Sequence, residues 1–119
     1  MSKSAISVLV FAIYLFLLGL TLMVVPNRLL SVFGIPVTSE VWIRVVGMLV
    51  TILGTYYYQA ARHGLRPFLE ATVYGRCSVL VFFIVFVLLK FAPPVLILFG
   101  VIDAAGAIWT ADCLRREAP

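Results

Sequence analysis

Apolar runs of about twenty residues follow one another along this chain with only short breaks. Three strong charges, Arg44, Arg76 and Asp103, lie inside those runs. This pairing constrains the fold more than any motif does. A chain that is 64% hydrophobic and 12% charged cannot hide its apolar surface in a water-soluble domain of 119 residues. A soluble domain carries roughly twice that charge. The bilayer is therefore the expected solvent, and the buried charges mark where the interior is polar. The net charge of +4 reads as a topology signal, and no nucleic-acid partner is expected.

Four segments are predicted to span, within a single transmembrane domain covering residues 1–119: about 4–25, 39–61, 67–89 and 93–114. Each is long enough to cross about 30 Å of hydrocarbon at 1.5 Å per residue. The first stops at Pro26. Pro67 and Pro93 fall where a missing backbone N–H costs nothing, in a first helical turn. Thr38 and Ser39 are expected to cap the second span, with Glu40 favouring its positive end. Residues 27–33, too short to span, predict a turn of helix lying in the interface, ended by Gly34 and Pro36. The fold class is thus all-α: an integral membrane four-helix bundle with a short interfacial helix between spans 1 and 2.

Lys3, Arg62, Arg66, Arg115 and Arg116 fall at one side of this arrangement, against Arg28 and Lys90 at the other. The richer side is expected to be cytoplasmic, with both termini there, in the inner membrane of a bacterium. The first apolar run is longer than a signal-peptide core and lacks a small-x-small cleavage site, so it is expected to be retained. Cys77 and Cys113 should sit at different depths as free thiols. The lone His63, between Arg62 and Gly64, has no companion ligands, and neither a metal nor a cofactor is expected. Trp42 and Trp109 suit interfacial anchors, and Tyr56, Tyr57 and Tyr58 an aromatic belt or a pocket wall.

Helical spacing sorts the polar residues. In the second span Arg44, Gly47, Met48, Thr51, Gly54, Thr55 and Tyr58 share a stripe, and in the fourth Gly100, Asp103, Gly106, Ala107 and Thr110 do. Ser7, Tyr14 and Thr21 form a thinner version in the first span, and Thr72 and Arg76 lie together in the third. Ile43-Arg44-x-x-Gly47-x-x-x-Thr51 echoes Ile102-Asp103-x-x-Gly106-x-x-x-Thr110. Arg76 and Asp103 both fall near mid-depth on antiparallel neighbours. An isolated charge there costs at least about 3 kcal/mol, so an Arg76–Asp103 ion pair is expected, with Arg44 approaching from the outer half. The candidate polar core or ligand site is therefore Arg44, Thr51, Tyr58, Arg76, Asp103 and Thr110. Glu70, one turn into the third span, is expected to pair with Arg62, Arg66 or Arg115, and Asp112 to be solvated.

The run from Arg44-Val45-Val46-Gly47 through Gly54, with Arg76 and Asp103 in the later spans, resembles the DoxX-like group of small four-helix membrane proteins. The resemblance implies an accessory role, since some of that group resemble subunits accompanying redox enzymes. Three functions are weighed. The first is a small membrane protein that binds an apolar ligand or a membrane partner through its polar core, as a homodimer or part of a larger complex. The second is an intramembrane enzyme on a lipid, quinone or isoprenoid, with Asp103 or Glu70 as acid–base group and Arg76 or Arg44 stabilising negative charge. The third, a proton-coupled exporter, is the weakest, because the first span carries no acidic residue.

Overall fold

A computed structural model describes residues 1–117 of the chain. It is all-α, with five helices: α1 (Lys3–Val24), α2 (Pro26–Val32), α3 (Trp42–His63), α4 (Arg66–Leu88) and α5 (Leu96–Glu117). The three helices α1, α4 and α5 are long and apolar enough to cross a membrane. At 1.5 Å per residue each is about 33 Å long. Their outward faces are oily: Leu17, Val81 and Ile108 are each more than half exposed. The chain is therefore a membrane protein. The helix α3 has the same length as α1 but is more polar, with Arg44 near one end and Gln59, Arg62 and His63 at the other.

Local chemistry sets the helix ends. Pro26 breaks the first helix and opens α2 from its own first turn, where its missing N–H has no partner to lose. Three helices close on a left-handed residue: Gly34 (φ 69°), Gly64 (φ 60°) and Lys90 (φ 63°). In each case the next N–H returns to a carbonyl five residues back: Ile35 to Leu30 (2.8 Å), Leu65 to Ala60 (3.0 Å) and Phe91 to Phe86 (2.8 Å). Lys90 adopts this conformation without the freedom of glycine.

Two boundaries differ from expectation. The helix α3 starts at Trp42 rather than Ser39, and neither Thr38 nor Ser39 caps it. Thr38 is used locally instead. Its hydroxyl accepts the Glu40 N–H at 3.1 Å, and its own N–H donates to Asn27 Oδ1 at 3.0 Å, which ties the loop to α2. The helix α5 starts at Leu96 rather than Pro93. The N–H groups of Leu96 and Ile97 bond to the Pro93 and Pro94 carbonyls, a tighter turn that precedes the regular helix.

The helix α1 is the hub. It packs along α3 and more lightly on α5, while α4 and α5 pair with each other. The α1–α3 crossing is close because it is made on glycine. A Cβ on Gly47 would lie 2.7 Å from the Gly19 carbonyl oxygen and 2.8 Å from the Met23 nitrogen. Farther along, Gly54 lies beside Ala12, and Phe11 meets Tyr57, so the two helices run antiparallel. The packed core lies at the end that carries the chain termini. Ala5, Val8, Ala60, Ala61, Leu69 and Leu114 fill it. A hydrogen-bonded tie closes the same end: the Glu117 carboxylate accepts the Ser4 N–H at 3.0 Å and the Ser4 hydroxyl at 2.6 Å. At the opposite end the helices spread around a cavity.

A buried cation below an apolar cavity

Arg76 sits midway along α4 and is 1% exposed. Its side chain is held by neutral oxygens. Nε donates to the Thr72 carbonyl at 3.1 Å, and Nη2 donates to Thr72 Oγ1 at 3.0 Å and Thr110 Oγ1 at 2.9 Å. The hydroxyl protons have a consistent assignment. Thr72 donates to the Leu69 carbonyl (2.7 Å) and Ser7 to the Ser4 carbonyl (2.6 Å). Thr110 then gives its proton to Ser7 Oγ at 2.7 Å and is left free to accept from Arg76. The Phe11 ring covers the guanidinium at 4.8 Å, and Tyr57 lies at 5.9 Å. A face of π density this close stabilises a desolvated cation by roughly 2 kcal/mol.

The expected ion pair is not formed. Among the described residues, ion pairs join Arg66 to Glu70, and Arg115 and Arg116 to Asp112. Asp103 has no partner of this kind. Three hydrogen bonds draw the guanidinium toward Thr72 and Thr110, away from the turn that carries Asp103. Only Nη1 is directed the other way. It lies 3.2 Å from where a Gly106 Cβ would be, and it has no hydrogen-bond partner. Gly106 is one turn along α5 from Asp103.

Asp103 instead forms part of the wall of a cavity of about 330 Å3. The rest of the wall is apolar, with the Tyr14 ring among Leu15, Leu18 and Leu22 from α1, Leu29, Leu30 and Phe33 around α2, Val46, Val50 and Leu53 from α3, and Val79, Phe83 and Phe99 from α4 and α5. Tyr14 Oη is buried and has no hydrogen-bond partner. Tyr14 lies eleven residues into α1, so the polar end of the cavity is about 17 Å from the termini end of the bundle. A shallower hollow of about 260 Å3 lies alongside, between α1 and α5, and reaches the exposed Leu17 and Ile102. The two spaces share Tyr14, Leu18, Leu29, Phe33 and Phe99. The Phe33 and Phe99 rings meet edge-on at 4.9 Å where α2 folds over α5.

Thr110 and Arg76 are thus brought together, and Asp103 stands one turn away. The other sequence candidates lie elsewhere. Arg44 is exposed, and its Nη1 donates to the carbonyls of Met23 and, at 3.5 Å, Val24. It serves the free C-terminal carbonyls of α1 rather than the Arg76 cluster. Thr51 is half-buried at the glycine crossing and donates to the Gly47 carbonyl at 2.8 Å. Tyr58 is 38% exposed, and Tyr57, at 6%, takes the inward place. The inward stripe of α3 runs through Gly47, Gly54, Tyr57 and Ala61, because the glycines must face α1. Glu70 is exposed and pairs with Arg66 at 3.1 Å, away from the cavity. Asp112 is ion-paired rather than simply solvated. Cys77 is exposed, Cys113 is buried, and both are free thiols.

The Ser4–Glu117 tie and the phenylalanine contact over the cavity have no signal in helical spacing, since each joins distant segments. Ser4, Ser7, Phe11 and Tyr14 do recur at three- and four-residue steps along one face of α1, a pattern that marks the inward side of that helix. No group of three His, Cys, Asp or Glu side chains positioned to hold a metal occurs among the described residues. No protein-family model, curated protein or solved structure matches this chain.

Proposed function

We propose that this chain is a four-span inner-membrane protein that takes an apolar molecule from the bilayer and holds it in the cavity beside α1. In this reading α3 is the fourth span. It lies antiparallel along the membrane-crossing α1 with the same length, and Arg44 can keep its charge at the outer interface while serving the α1 carbonyls. Lys3, Arg62, Arg66, Arg115 and Arg116 share the termini end, which favours a cytoplasmic location for it. The bound molecule stabilises an accessory subunit or is presented to a membrane partner, as the likeness to the DoxX-like group suggests.

The observation that carries the reading is the cavity itself. Its 330 Å3 lies in the range of small-molecule sites, and its lining is apolar except for Asp103 at one end. The neighbouring hollow supports entry from the lipid side, past the Phe33–Phe99 contact. Native mass spectrometry of the protein extracted with its lipids tests this. A small apolar molecule should remain on the wild type and be lost from Val50→Trp, which fills the cavity. Equal retention by both proteins would refute the site. The same spectra report the oligomeric state, for which a homodimer is proposed.

A further inference from the structure

One side of the cavity is a seam between α3 and α4. A tight turn at Gly64 and Leu65 joins the two helices, and they touch near it, where the Tyr57 and Phe68 rings meet edge-on at 6.0 Å. Beyond that contact each packs mainly on another neighbour, α3 on α1 and α4 on α5. Val50 lies fourteen residues before Gly64 and Val79 fourteen after Leu65, so the two stand at one depth, about 21 Å from the turn. Val46 and Phe83 match in the same way at about 27 Å. All four line the cavity, which therefore lies between the two helices. The α3 lip also faces outward: Val46 and Leu53 line the cavity and are still 46% and 40% exposed. With α3 as a span, the medium outside this seam is lipid hydrocarbon. We propose that the occupant is one acyl chain of an anionic phospholipid, slotted through the seam with its head left outside. The proposal rests on the cavity being a binding site.

Size selects the chain. On α5 the cavity runs from Leu96 to Asp103, about 10 Å of depth. A partner helix, about 10 Å across with its side chains, needs roughly 800 Å3 over that depth, more than twice the space present. The 330 Å3 holds roughly eleven non-hydrogen atoms at about 30 Å3 each, which is one alkyl segment and not two. Val46, Val50, Leu53, Val79 and Phe83 offer no polar side-chain atom, so a head drawn in among them would lose its hydration without replacement. The head stays at the surface, beyond the reach of Asp103, and charge selects it. Each lip ends in a cation at the end away from the chain termini: Arg44 near the start of α3 and Lys90 just past α4. Both are exposed, and neither takes part in an ion pair among the described residues. With Arg28 they outnumber Glu40, the acidic residue of that end, by three to one. An anionic head gains from this excess, and a zwitterionic head, neutral overall, gains less.

The test places the full chain in phosphatidylcholine nanodiscs with a trace of phosphatidylglycerol or phosphatidylcholine carrying a photoreactive diazirine midway along one acyl chain. Labelled residues are mapped by mass spectrometry. Val81 and Val85, exposed on α4, give the level set by ordinary lipid contact. The phosphatidylglycerol probe should label Val50, Leu53, Val79 and Phe83 at least about fivefold above that level. The phosphatidylcholine probe should label them about fivefold less than phosphatidylglycerol does, and Lys90→Gln should remove most of that difference. Val46→Trp and Val50→Trp, two independent ways to fill the cavity, should bring the seam residues down to the level of Val81. Equal labelling by the two probes, unchanged by Lys90→Gln, would overturn the anionic head. Seam labelling no higher than at Val81 and Val85 would overturn the acyl chain. Native mass spectrometry then separates the two readings. A small apolar molecule kept by the wild type and lost from Val50→Trp leaves the cavity a site for a different occupant, and equal retention removes both.

Discussion

Removing the hydroxyl of Thr110 tests the neutral cage around Arg76 most directly. Thr110 is 0% exposed, and its one oxygen does two jobs: it accepts from Arg76 Nη2 at 2.9 Å and donates to Ser7 Oγ at 2.7 Å. Thr110→Val keeps the shape and deletes both bonds. A hydrogen bond to a charged group contributes about 1.5–3 kcal/mol. A neutral one between helices in a bilayer contributes about 0.6 kcal/mol. Thr110→Val should therefore destabilise the bundle by roughly 2–4 kcal/mol. Thr110→Ser keeps the hydroxyl, loses one methyl and should cost about 1 kcal/mol. Ser7→Ala alone should cost about 1 kcal/mol, and combining it with Thr110→Val should cost less than the sum, because one bond is shared. The assay is equilibrium unfolding of the full chain in bicelles, read by steric trapping on α1 and α5. If Thr110→Val is no more destabilising than Thr110→Ser, the hydroxyl does not support Arg76 and the cage argument fails.

Three further perturbations follow. Gly47→Ala places a methyl against the Gly19 carbonyl and the Met23 nitrogen, so α1 and α3 must separate; a loss of about 1–3 kcal/mol in the same unfolding assay is expected, and wild-type stability would show that the crossing is looser. Lys90→Gly relieves a left-handed backbone at the end of α4 and should stabilise by about 1 kcal/mol, whereas a lower melting temperature would refute the strain. Glu117→Ala removes the acceptor of the Ser4 N–H, so that amide should exchange faster with deuterium while the Ala5 amide, held by Ser2 Oγ at 3.1 Å, keeps its protection; unchanged exchange at Ser4 would show that the two ends of the chain are not tied.

Much of the architecture was legible in order along the chain. Run length and proline position gave the helices, including the short α2, because hydrophobic length and a missing N–H act locally. The boundaries that slipped did so where Thr38 bonded to Asn27 in α2 and where Pro93 and Pro94 drew a tight turn before α5. The expected stripe on α3 holds at Gly47 and Gly54, and at its far end Tyr57 rather than Tyr58 turns inward. Periodicity defines a face only to within a residue, and the contact of Gly47 with Gly19 decides which residue turns inward.

Composition and run length by themselves determined that the chain belongs in a bilayer, because apolar content needs no knowledge of neighbours; depth along a span did not decide which charges turn inward, since Arg76 is buried while Arg44 is exposed. The partners of those groups were decided only when the helices met. Arg76 turned to the hydroxyls of Thr72 and Thr110 and to the face of Phe11, since these lie within reach and satisfy a planar donor in several directions. Asp103 was left at the wall of a cavity that no single helix encodes, because residues of all five helices bound it.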